Sequence, residues 1–450
     1  MSEWKEYQLG EIGFFNNGVN KSKSSFGHGY PFVNLLDLFE NDRIEKIPKG
    51  LVAVNQDELH RYDLKEGDIL FVRSSVKLEG VGKVSTVLSD LENTIYSGFI
   101  IRFRQLNQVL EKIFSSYYLN SAEIRSQVIT KGTLSANSNI NQESLKSIQI
   151  KIPSLPVQTK IAKILSTADT VIEKTQAAIA KYKAIKQGML QDLFTRGINI
   201  TTNKLRPRFE DAPQLYRESK LGMIPREWEV ERLGNLCSEK PTYGINAAAV
   251  EFTHKLPTYI RITDINENGD FSKTGRKCVD SVFTENYILK KGDLVFARTG
   301  ASVGKTYLYN ETDGVLVYAG FLIKVSPNEK VLDSNFLKFL TETSYYLNWV
   351  GLMSQRSAQP GINGIEYGNL LIPKLDLEEQ NLITEKLKSI QRKLQTEETY
   401  LHKMQSLKKG LMEDLLSGKK CLNLDLQDEQ MNKIDSGKET VDNPINPKIK

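Results

Sequence analysis

Two short segments of the chain carry the residue types best suited to chemistry on a charged or polar ligand, and they match each other. DILFVRSS ends in a cation and two hydroxyls, Arg73, Ser74 and Ser75, while DLVFARTG ends in Arg298 and Thr299. Each runs into a loop that closes on a lysine, Lys83 or Lys305, with Lys77 in the first loop and Ser302 in the second. An apolar run that stops on arginine puts a guanidinium at a strand end. There its planar fork can reach phosphates or a guanine edge, while small hydroxyls fix register on a backbone. The same arginines could instead pair with an acidic neighbour, Asp68 or Asp293, and hold the strand end together. The sequence leaves both readings open.

Two further loops in each half have similar chemistry. A late loop carries Lys131, Thr133, Asn137 and Asn139 in the first half, and Arg356, Gln359 and Asn363 in the second. Asn and Gln can bond adenine with two hydrogen bonds, and they also serve ordinary turns. An early loop carries Lys21, Ser22, Lys23 and Ser24, or Tyr243 and Asn246, followed in the second half by Arg261 within PTYIRITDI.

Catalytic motifs are missing. There is no phosphate-cradling G-x-x-x-x-G-K-[ST], no H-E-x-x-H and no G-x-S-x-G elbow, and no Pro-Pro pair that would form the base-holding motif of amino-methyltransferases. His28, His60, His254 and His402 are scattered, and Cys237, Cys278 and Cys421 lack metal-ligand spacing, so no metal is expected in this chain. These absences favour a binding protein over an enzyme. No apolar run approaches the ~20 residues of a membrane span, and the opening MSEWKEYQLG has no signal-peptide core, which predicts a cytoplasmic protein.

The elements that must position these residues are duplicated. WKEYQLGEI from Trp4 returns as WEVERLGNL from Trp228, LKEGDILFVRSS as LKKGDLVFARTG, and YSGFIIRF from Tyr96 as YAGFLIKV from Tyr318. Buried strands are predicted at 69–72, 100–103, 294–297 and 322–325, with a helical patch at 110–120 and at 332–343. Each half then enters a long heptad helix. Leu165, Ile172, Ile179 and Leu193 beside Ile161, Ala168, Tyr182 and Met189 form its apolar seam, repeated 222 residues later by Leu387, Leu394, Leu401 and Leu415 beside Ile383, Ile390, Met404 and Leu411. The polar lapses also match, Thr175 and Lys186 against Glu397 and Lys408. Two such helices are expected to pair with each other.

The predicted fold class is α+β: two pseudo-symmetric mixed α/β domains, 1–156 and 226–376, separated by two long antiparallel coiled-coil helices, 157–197 and 377–418. A Pro-rich linker spans 198–225, and a polar tail, 419–450, is expected to be disordered. Gly188 and Gly410 recur inside good helix, which points to close contact with the neighbouring helix or a partner, or to a local kink. The net charge of +5 is modest, but Lys and Arg outnumber Asp and Glu 12 to 6 over residues 157–220. Framework and helices repeat closely while the loops diverge, as expected of two equal scaffolds that read two different things.

A variable domain, a helix that begins PVQTKIAKIL or LEEQNLITEKL, the LFTRG-type helix end and the duplicated GD-apolar-Arg segment together resemble the specificity subunit of type I restriction-modification enzymes. The resemblance covers nearly the whole chain except the tail. It implies a non-catalytic subunit whose two domains each bind one half of a split target in double-stranded DNA. The paired helices would set the spacer and dock two methyltransferase subunits. S-adenosylmethionine, and ATP with Mg for restriction, would be used by those and by restriction/translocase subunits, not by this chain. A protein-interaction scaffold, or a self-contained methyltransferase or nuclease, are the alternative classes.

Overall fold

The computed structural model describes residues 4–132, 138–355 and 361–418. The chain divides into two compact units, residues 1–175 with 400–450 and residues 176–399. Each unit therefore combines one globular domain with parts of both long helices.

In the first unit a five-stranded sheet has the order Gly13–Asn17, Ile100–Gln105, Ile69–Val72, Val84–Val87, Arg43–Ile44, antiparallel except at its last pair. Ile69, Leu70, Phe71 and Val72 are all fully buried, as a continuous apolar run without polar alternation requires. The second unit repeats the arrangement with Thr242–Tyr243, Leu322–Val325, Leu294–Ala297 and Thr306–Leu308. In each unit the opening strand pairs antiparallel with the strand that precedes a long helix: Lys5–Gln8 with Gln149–Ile152, and Glu229–Arg232 with Leu371–Lys374. Pro373 thus lies inside that strand.

The expected helical patches are shorter than the apolar pattern suggested and each is followed by a second helix. Lys112–Tyr118 leads to Ala122–Lys131, and Ser334–Leu340 leads to Ser344–Ser354. Thr343 caps its helix by accepting from the Tyr346 amide, so a polar residue that the pattern absorbed into one helix starts the next.

The long helices run Leu155–Thr195 and Leu377–Leu416. In the first unit Ile161 and Leu165, near the start of one, share a core with Leu415 and Leu416 at the end of the other. In the second unit Leu190 and Leu193 share a core with Ile383 and Leu387. Start packs against end in both, so the pairing is antiparallel. The polar lapses are contact points: Thr175 is fully buried with its hydroxyl donating to Val171 O, Lys186 reaches Gln391 and Glu342, and Lys408 reaches Asp169.

A buried glutamine at the start of each helix joins it to its domain. Gln158 accepts from the Glu111 amide and donates to Val109 O and Pro153 O; Gln380 accepts from the Asp333 amide and donates to Val331 O and Leu375 O. All of these partners are 222 residues apart in matched pairs.

Gly188 and Gly410 are exposed, and a Cβ built on either meets nothing within 4 Å. Close packing against the neighbouring helix is therefore not their role. The segment 198–225, expected as a linker, carries two short antiparallel pairings, Ile198–Asn199 with Lys204–Leu205 and Tyr216–Ser219 with Gly222–Pro225. The predicted tail lies outside the described residues. Among the described residues no helix is long and apolar enough to cross a membrane.

Candidate functional site

Three loops that are far apart in sequence meet at the end of the central strand of each domain. In the first unit Ser74–Ser75 pairs antiparallel with Ser138–Asn139, and the Ile140 amide donates to Arg73 O at 3.0 Å. In the second, Thr299 bridges Gly361 and the Ile362 amide donates to Arg298 O at 2.9 Å. The late loop is thereby stitched to the arginine segment in both halves.

The early loop arrives from the other side. Val19 forms a bridge with Ser97, and Ile245 forms one with Ala319, next to the turns that follow Tyr96 and Tyr318. Gly18 and Gly244 allow this approach, because a Cβ there would lie 2.3 Å from Ser97 O or 2.2 Å from Ala319 O. The turns in question then hold the arginines: the Arg73 amide donates to Phe99 O at 2.8 Å and the Arg298 amide to Phe321 O at 3.0 Å.

The pairing of Arg73 and Arg298 with the strand-end carboxylates does not occur. Asp68 is taken by Arg104, Nη2 to Oδ2 at 2.7 Å, and Asp293 accepts from the Lys290 amide and the Ser326 hydroxyl. That bidentate bond to Asp68 raises the Arg104 pKa above the ordinary arginine value, outweighing burial, which lowers it. Arg73 instead donates to Gly98 O at 3.2 Å, and Arg298 lies over the Tyr243 ring at 4.8 Å with its buried Nε unpartnered among the described residues. Tyr243 also accepts from the Gly364 amide at 3.0 Å, so this one side chain ties all three loops of the second half. Asn17 holds the corresponding place in the first half, with its Oδ1 buried and unpartnered among the described residues. Sequence reading missed Asn17, although its alignment with Tyr243 through the adjacent Gly18 and Gly244 would have found it.

Tyr367 and Tyr346 brace the second site from beneath by donating to Ala297 O and Gly304 O. Burial pushes both phenols far above their ordinary pKa, so each remains a donor. No sequence motif marked them.

The other expected site residues divide by their partners. Ser74, Asn139, Thr299 and Ser302 belong to the converged segments, and Lys23, Lys77 and Asn246 are exposed. Lys21 pairs with Glu58 at 2.7 Å, Lys83 with Phe39 O and Asp42, Lys131 with the Ser147 hydroxyl, and Lys305 with Glu267 at 2.6 Å. Ser24 bonds to Ser22. Arg261 makes a two-pronged contact to the buried Asp264, and that hydrogen bond raises its pKa. Asn363 caps the helix Gly364–Gly368 by accepting from the Glu366 amide, which makes it the counterpart of the capping Asn141. Thr133, Asn137, Arg356 and Gln359 lie outside the described residues.

Each domain thus presents an arginine, hydroxyls and backbone groups on a rigid strand end, framed by loops whose sequences differ between halves. Such a surface suits two different stretches of a polar polymer. A family model described as the type I restriction modification DNA specificity domain matches residues 1–181 and 225–405. The chain is 27% identical over 336 residues to the type I restriction enzyme MjaVIII specificity subunit of Methanocaldococcus jannaschii, covering 72% of this chain and 74% of that one. It is 26% identical over 429 residues to the putative type I restriction enzyme MjaX specificity subunit of the same organism, covering 93% of both. The crystal structure of a type I restriction-modification system S subunit from M. genitalium has the same fold, with a TM-score of 0.56 at 14% identity over 92% of this chain and 96% of that one. The two matched stretches fall on the two duplicated halves, and the chain belongs to the type I restriction-modification DNA specificity family, acting as the sequence-specificity subunit of such a complex.

Proposed function

We propose that each domain reads one half of a bipartite DNA target, that the paired helices set the spacer between the halves, and that this chain performs no chemistry itself. The observation that carries this reading is the convergence of the early, arginine and late loops at one strand end in both halves, on frameworks that match while the loops do not. Two methyltransferase subunits using S-adenosylmethionine supply base modification, and restriction/translocase subunits using ATP with Mg supply cleavage.

The spacer role has a direct test. Inserting four residues at matched places in both long helices lengthens each by about 6 Å. Methylation mapping in cells carrying the partner subunits should then show a changed spacer with both half-sequences intact. An unchanged spacer would remove the helices from that role.

Gly188 and Gly410 are the proposed docking points, since both are exposed on matched faces and free of neighbours. Gly188→Arg should leave thermal stability unchanged or raise it slightly, because arginine is a better helix former by about 0.8 kcal/mol. It should also reduce methyltransferase subunits bound per chain from two to one, as weighed by native mass spectrometry. Full occupancy by two would place docking elsewhere.

A further inference from the structure

We propose that Phe99 and Phe321 are a matched pair of base-contacting aromatics, one for each half-target, using the apolar part of a base as their ligand. The proposal rests on the reading that the converged loops face DNA. Both residues occupy the same place in YSGF and YAGF, and both are large exposed side chains, at 56% and 57%. Their neighbours are the opposite: Tyr96, Ile100, Tyr318 and Leu322 are essentially buried. A single exposed phenylalanine is unremarkable on a soluble protein. Two at equivalent places, where the adjoining early and late loops have changed composition, call for a shared use.

The backbone around each ring is fixed. Ile100 and Leu322 close the two turns by donating to Ser97 O and Ala319 O, both at 2.8 Å. Gly18 and Gly244 bond the early loop to one side of the turn, and the arginine amides bond to the phenylalanine carbonyl on the other. The backbone that carries each ring is therefore held between the early loop and the arginine segment, with little backbone entropy left to lose on binding. Neither ring fills a core position, so its exposure gains the fold little.

An exposed apolar plane on a turn bonded to the arginine segment fits two forms of one contact. The ring can lie against a thymine methyl in the major groove, or wedge at a base step and partly unstack it. Both use the apolar part of a base, and both would act on one half-target only.

The experiment uses the chain assembled with its methyltransferase subunits, and a duplex carrying the target identified by methylation mapping. Phe99→Ala should weaken specific binding about 10-fold and blunt discrimination at the half-target read by the first domain. Phe321→Ala should do the same at the other half, and neither should change the melting temperature. Replacing each thymine by uracil separates the two forms. A methyl contact is reproduced by one uracil and adds nothing to the alanine variant, while a wedge is indifferent to uracil and brightens a 2-aminopurine at the step with wild type alone. Wild-type affinity and discrimination in both variants, or equal loss at both half-targets, would overturn the proposal and leave the recognition reading standing. Failure of the wild-type complex to bind any sequence preferentially would overturn that reading instead.

Discussion

Glu379→Ala should destabilise the unit of residues 176–399 by about 3–5 kcal/mol, the cost of stripping one partner from a buried ion pair. Glu379 and Arg206 are both nearly inaccessible, at 4% and 7%. The carboxylate accepts from both terminal nitrogens of Arg206, from the Ile198 amide at 2.7 Å and from the indole nitrogen of the fully buried Trp228 at 3.1 Å. Alanine would leave the amide and the indole without an acceptor and the buried guanidinium with only Arg196 O and the more distant Glu227 carboxylate. Joint replacement of Arg206 and Glu379 by methionine should recover much of the loss, because no charge is then left alone. Denaturant unfolding followed by tryptophan fluorescence checks both, since Trp228 and Trp349 lie in this unit and Trp4 in the other. A loss below 1 kcal/mol for the single variant would show that water reaches the site. The first half has Val157 at the matching position, so this node belongs to the second half and the segment leading into it.

Gln158→Ala and Gln380→Ala should each cost about 2–4 kcal/mol, and each only within its own unit. Both side chains are 1% exposed and make three hydrogen bonds to backbone groups. A typical bond is worth about 1 kcal/mol net, and leaving a buried amide or carbonyl unpaired adds to that. Glutamate cannot restore the two donated bonds, so Gln158→Glu should be no better than alanine. Hydrogen exchange offers the local readout: the amide of Glu111 should lose protection in the first variant, and that of Asp333 in the second. Equal loss in both units from either variant would contradict their separate placement.

The sequence by itself determined the duplication, the heptad seam and the buried central strands, because each is a periodic or local property. Apolar spacing of 3.5 residues leaves one face to bury, and ILFV or LVFA leaves no polar face at all. Four things were decided only by tertiary structure. Asp68 went to Arg104 rather than to Arg73, a choice between cations 36 and 5 residues away that depends on which strand lies alongside. Lys83 and Lys305 acquired acceptors from loops that no spacing rule connects to them. Gly188 and Gly410 turned out to face open space, although their recurrence was equally compatible with close packing. The gathering of three loops around Arg73 and Arg298 arose from strand order and long-range backbone bonds. A sequence records which side chains are available, whereas the partner each one finds depends on contacts between segments distant in the chain, and those exist only after the sheet has formed.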